Sequence, residues 1–216
     1  MNREALKALA KQQIKGNIGI LFLISLIIGL ITSAAASILS GASALVGILI
    51  SPAFALSTII VYKKLAAGEK PEVKDTFAGF KNYWPCVQVG FFVALYTFLW
   101  TLLFYIPGIV KSYSYSMSMY ILADHPEKSR KECIKESMQM MDGHKMDLFV
   151  LDLSFILWYL LGIITLGIAF IWIVPYVNAT RLNFYNTIKP IEVAKEPVIE
   201  TPAVEAPVVK ETPAEE

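Results

Sequence analysis

Asp152 is the ionisable residue whose position asks most of its surroundings. It lies in the run LDLSF, about one and a half turns inside an apolar segment that starts at Leu148. A charge in such a setting is costly and is usually paired. If the run from Leu148 to Tyr185 folds back on itself near residues 166 and 167, residues equidistant from that turn lie at equal depth, and Asp152 then faces Arg181. The expectation is a shallow structural ion pair, Asp152 with Arg181, that pins a helical hairpin. A transport or proton-relay role for Asp152 is the rival reading.

Other chemistry is thinly represented. Asp142, His144 and Asp147 cluster in MDGHKMD, but their spacing matches no metal-ligand motif, and Lys145 among them favours a hydrated interface. His125 stands beside Pro126 without a companion motif. Cys86 and Cys133 are far apart, so neither a disulfide framework nor a zinc site follows. The chain lacks an H-E-x-x-H helix, a G-x-S-x-G elbow and a glycine-rich phosphate cradle. The expectation is therefore no catalytic residue, no metal, no cofactor and no enzyme activity.

The surroundings that must position Asp152 are written in the composition. Of 216 residues, 56% are hydrophobic and only 17% charged, with a mean hydropathy of +0.55. That is more apolar surface than a soluble core of this length needs, so the expected solvent is a bilayer. The charge of +1 conceals an asymmetry. Residues 190 to 216 hold seven Glu against two Lys, a balance of −5 that leaves +6 on the rest. A basic membrane part suits anionic head groups at a cytoplasmic face, and its charges are too dispersed for nucleic-acid binding.

Three regions follow. Residues 1–17 form a basic amphipathic segment in which Arg3, Lys7, Lys11 and Lys15 recur every fourth position, giving one basic stripe on a helix at the inner leaflet. Residues 18–189 form the transmembrane helical domain. Residues 190–216, rich in Pro and Glu and without aromatics, read as a disordered acidic tail that serves for solubility or for docking a partner.

Within the middle region, residues 18 to 39 carry no charge and are long enough to cross a bilayer. Their basic leader and Ala34-Ala35-Ala36 also imitate a cleavable signal peptide, which stands as an alternative. Ser25, Gly29, Ser33, Ser37 and Gly41 recur every four residues and predict a helix-packing seam; a solute-lining stripe is the functional rival. A second span, 44 to 62, ends at Lys63 and Lys64, and the mixture of lysines and aromatics in 65 to 85 suits an interfacial helix.

The stretch from Cys86 to Asp124 is too long for one crossing, so Pro107-Gly108 is the expected turn between spans 86–106 and 109–123. The second of these alternates Ser with Tyr or Met, a strand-like period, but an open strand edge is not tolerated in lipid and a helix is expected. Residues 124 to 147 predict an amphipathic helix whose five Lys and Arg residues mark the cytoplasmic side. The last two spans turn near Thr165-Leu166-Gly167, flanked by Trp158 and Trp172.

The stretches IPGIVKSYSYSMSMYILADHP and GHKMDLFVLDLSFILWYLLGIITLGIAFIWIVPYVNATRLNFY resemble an uncharacterised integral membrane family of Gram-positive bacteria, domain-of-unknown-function family 975. The likeness covers residues 1 to about 187, and LDLSF with T-x-G-I, P-Y and F-Y is its most specific part. It implies a bacterial plasma membrane and six spans, and it carries no functional residues with it. A looser likeness to membrane domains attached to glycerophosphodiester phosphodiesterases implies an accessory role near lipid metabolism.

The expected fold is all-α, a polytopic bundle of six transmembrane helices in three hairpins with both termini cytoplasmic; four or five spans are the alternatives. The expected function is a non-enzymatic accessory, scaffold or regulator of the envelope, with membrane lipids and a protein partner or a second copy as its contacts. The alternative is a small-solute or lipid transporter, which requires a polar cavity lined by residues such as Ser112, Ser116, Asp152 and Arg181.

Overall fold

A computed structural model describes residues 3–38 and 47–189. The predicted tail 190–216, Gly41 of the seam and the turn before the second span fall outside the described residues. All regular structure among the described residues is helical. The α-helices are α1 (Arg3–Ile14), α2 (Ile18–Ile38), α3 (Ser51–Ala66), α4 (Tyr83–Leu103), α5 (Tyr105–Tyr115), α6 (Ser118–Asp124), α7 (Arg130–Met140), α8 (Lys145–Leu153), α9 (Ile156–Ile164) and α10 (Phe170–Ile188), and a 3₁₀ helix, Val73–Asn82, runs directly into α4.

Among the described residues, four helical stretches are long and apolar enough to cross a membrane: Ile18–Ser37, Gly47–Ala66, Val73–Leu103 and Lys145–Ile164. Two expected spans do not reach that standard. The stretch after Phe104, broken at Ser116-Met117 into α5 and α6, is diluted by Lys111, Asp124 and the serines and tyrosines between them. The other, α10, has 19 residues, but Asn178, Arg181, Asn183 and Asn186 dilute its hydropathy.

The first hairpin turn differs from expectation. The chain reverses at Phe104, whose extended backbone (φ −153°, ψ 129°) separates α4 from α5. Pro107 and Gly108 then belong to the first turns of α5. Proline is tolerated there because the early amides of a helix have no intrahelical partner. Gly108 has a packing reason: a Cβ on it would stand 2.3 Å from Thr101 Oγ1 and 2.6 Å from Thr101 Cα, so only glycine lets α4 and α5 close.

Two segments expected at the membrane interface pack against the bundle. Leu6, Ala10 and Ile14 of α1 are buried. Asn183 Nδ2 of α10 donates to Gln13 Oε1 at 2.9 Å, and the Lys7 ammonium lies 4.6 Å from the Phe155 ring centre. The narrow apolar edge thus seats α1 on protein while the lysine stems cover aromatic rings. In the 3₁₀ helix, Gly79 N donates to Ser57 Oγ of α3 at 2.9 Å, and Lys64 pairs with the buried Asp75 at 2.6 Å.

The core is concentrated at one end of the molecule. There α1, the C-terminal turns of α3, α6 to α8 and the second half of α10 bury Leu6, Leu65, Ile121, Leu148 and Phe184. Asp124 ties that end together, receiving Lys63, Lys189 Nζ at 3.0 Å and the Tyr185 hydroxyl at 2.8 Å. The opposite end is apolar and exposed, with Leu102, Ile106, Leu157, Ile164 and Leu166 on its surface. Apolar surface on that scale is what a soluble monomer avoids.

Candidate functional site

The last hairpin sets the site's geometry. Its turn bends through Leu166 (φ 51°) and Gly167 (φ 94°). Glycine takes this left-handed conformation at no cost, whereas the leucine bears a modest one. Thr165 Oγ1 reinforces the bend by accepting from Ala169 N at 3.1 Å. This reversal brings Asp152 of α8 within reach of Arg181 of α10. Arg181 Nε donates to Asp152 Oδ1 at 3.1 Å and Nη2 donates to Oδ2 at 2.8 Å. The contact is the bidentate fork that a guanidinium makes best with a carboxylate.

The third wall comes from the α5–α6 stretch. The Tyr113 hydroxyl reaches Asp152 Oδ2 at 3.4 Å, and the Tyr113 ring packs edge-on against Phe149 of α8. Together Ile109, Ser112, Tyr113, Ser116, Met117, Tyr120, Leu148, Asp152 and Arg181 enclose a half-open cavity of about 370 Å³. The serine pair is there because a helical period carries position 112 to 116 on one face, while the break after Tyr115 lets Tyr120 of α6 join the lining.

Hydrogen-bond direction gives the cavity its character. Ser112 Oγ donates to Ile109 O at 2.7 Å and Ser116 Oγ donates to Tyr113 O at 2.8 Å. Both hydroxyl protons are thus spent on the helix, and the oxygen lone pairs are what these serines can offer a guest. Arg181 uses Nε and Nη2 on Asp152, and Nη1 has no hydrogen bond among the described residues. The cavity therefore combines acceptors, two phenol rings and one remaining guanidinium edge around a neutral ion pair.

The other residues singled out in the sequence lie apart from this site. His144 Nδ1 is 3.3 Å from Asp147 Oδ2, and Lys145 Nζ is 3.5 Å from Asp142 Oδ1, all in or beside the first turn of α8. Along α2, Ser25, Gly29 and Ser33 line an apolar groove of about 300 Å³ opposite Phe170 and Pro175 of α10. A Cβ on Gly29 would meet nothing within 4 Å, so among the described residues no backbone closes on the seam there. Ser37 Oγ donates to Ser33 O at 2.9 Å.

Two features were not assigned to a site from sequence. On a continuous helix Tyr113, Met117 and Tyr120 share a face apart from Ser112 and Ser116, and the break after Tyr115 lets both sets line one cavity. The Asp124 junction also left a signal, because Lys63 and Lys189 each end an apolar run, and the fold brings both to Asp124. A profile of the family described as "Protein of unknown function (DUF975)" matches residues 1–114 and 104–192. No curated protein and no solved structure matches the chain significantly.

Proposed function

We propose a function on the premise that the chain belongs to the DUF975 family of proteins of unknown function: it is a non-enzymatic, multi-pass membrane protein that binds a small polar solute or lipid head group in the cavity beside Asp152 and Arg181. The observation that carries this is the cavity itself, lined by Ser112, Ser116, Asp152 and Arg181. Polar groups are expensive within apolar helices, and a half-open space around them fits a guest-binding role better than pure scaffolding.

The proposed topology is six spans in three hairpins: α2 with α3, α4 with the broken helix α5–α6 as far as Ala123, and α8–α9 with α10. Supporting it are the tight α4–α5 contact at Gly108 and the α9–α10 turn at Leu166-Gly167. Lys63, Lys189 and Asp124 share one end of the bundle, and α7 with its Arg130, Lys131 and Lys135 follows Asp124 closely. The positive-inside bias makes that end cytoplasmic, with both termini, in a bacterial plasma membrane. Scaffolding is the second reading, favoured by the open groove along Ser25, Gly29 and Ser33.

Mass spectrometry of small molecules and lipids retained by the purified protein tests the proposal, with wild type compared to a cavity-filling Ser112→Trp variant. A guest held by wild type and lost from the variant supports the cavity reading. Identical complements leave scaffolding as the better account.

A further inference from the structure

We infer that the guest is an ammonium–phosphate zwitterion of the phosphoethanolamine class, an inference that rests on the cavity-binding reading above. The cavity wall is electrically balanced, with one carboxylate and one guanidinium in bidentate contact. A singly charged guest would leave an unneutralised charge beside low-dielectric helices, whereas a zwitterion brings a partner for each wall charge.

The hydrogen-bonding inventory narrows the class. A primary ammonium has three N–H donors, and the wall supplies three acceptor groups, Asp152, Ser112 and Ser116, the serines having spent their own protons on Ile109 O and Tyr113 O. The rings of Tyr113 and Tyr120 line the same space, and phenol rings attract a cation. The phosphate takes the free Nη1 edge of Arg181, so the ion pair with Asp152 need not break. A quaternary ammonium has no N–H to give these acceptors and binds less well.

Depth also agrees with a head group. Arg181 lies eight residues before Lys189, which pairs with Asp124 at the polar end, so the cavity is roughly 12 Å along the helix axis from that end. On the proposed topology that depth falls near the boundary between head groups and acyl chains, where a lipid head group is drawn slightly inward and a free zwitterion arrives from water. The same chemistry serves both sources.

The test uses the full chain in nanodiscs containing equal phosphatidylethanolamine, phosphatidylcholine and phosphatidylglycerol, with retained lipid counted by native mass spectrometry. Soluble phosphoethanolamine is added as a competitor. Wild type should retain phosphatidylethanolamine over phosphatidylcholine on the order of tenfold, the worth of a charge-assisted hydrogen bond. Competition by the soluble compound assigns a free source, and its failure to compete assigns the lipid.

Asp152→Asn leaves Arg181 uncompensated and should turn the preference toward phosphatidylglycerol. A Ser112→Ala/Ser116→Ala double variant, which keeps the ion pair, should lose most of the discrimination against phosphatidylcholine even if Asp152→Asn folds poorly. Equal retention of the ethanolamine and choline lipids by wild type overturns the inference, as does an unchanged preference in the double variant. If Ser112→Trp still displaces some other guest, the cavity reading survives that failure; if it displaces nothing, both fall.

Discussion

Arg181 grips Asp152 through two separate nitrogens, Nε to Oδ1 at 3.1 Å and Nη2 to Oδ2 at 2.8 Å, across 29 residues of chain. Both side chains retain some exposure, 44% for Arg181 and 20% for Asp152. The pair is therefore neither a free surface contact of negligible worth nor a fully dry one.

Removing one partner strands the other. Asp152→Ala should destabilise the protein by about 2 kcal/mol more than the Asp152→Ala/Arg181→Ala double replacement, a figure between exposed and buried pairs. Thermal unfolding in detergent measures the difference as a shift of a few degrees. Equal losses from the single and double variants would show that the two groups do not depend on each other.

Gly108→Val should open the α4–α5 hairpin, at a cost of about 1–3 kcal/mol for overpacking. The added Cβ would collide with Thr101 Cα at 2.6 Å as well as with Oγ1. Truncating the side chain by Thr101→Ala should consequently fail to restore stability. Restoration would mean that the clash involves the hydroxyl alone.

Asp124 makes the basic end of the bundle sensitive to acid. Burial alone would raise its carboxyl pKa, but hydrogen bonds from Lys63, Lys189 and Tyr185 outweigh burial and hold it below the ordinary value of 3.8. The folded form thus favours the carboxylate, and its stabilisation is complete above that ordinary value. It drains away as pH falls below 3.8 toward the lower folded value. Asp124→Asn, costing about 1–3 kcal/mol near neutrality, should flatten this limb of an unfolding-against-pH profile. An unaltered limb would assign it to other carboxylates.

Topology is accessible by labelling intact cells with a membrane-impermeant thiol reagent in a Cys86→Ala/Cys133→Ala background. Phe104→Cys and Leu166→Cys, at the two turns, should label, and Ser129→Cys, at the N-cap of α7, should not. Labelling at 129 would reverse the orientation and require the cavity to open toward the outer face.

Much of the helical content was legible because apolar runs bounded by charge leave few alternatives in lipid. The strand-like Ser-Tyr alternation of 112 to 118 still folded as helix, broken after Tyr115. The Thr165-Gly167 bend was also legible, since two apolar arms of matching length need a reversal between them and glycine accepts its left-handed backbone. The placement of the other turn at Pro107-Gly108 failed for a local reason. Proline and glycine signal both a turn and a helix start with a close approach, and only the position of Thr101 distinguishes these roles.

By itself the sequence determined the helical character of the described residues, the apolar stretches with their basic ends, and the pairing of Asp152 with Arg181. Those properties depend on local hydropathy and on counting residues from a turn. Tertiary structure decided that α1 docks through Leu6, Ala10 and Ile14, that Gly29 meets no closing backbone among the described residues, and that Ser112, Ser116, Tyr113 and Tyr120 line the cavity with the ion pair. Such relations depend on how separate helices rotate about their axes and cross, and no one segment encodes its neighbour's rotation.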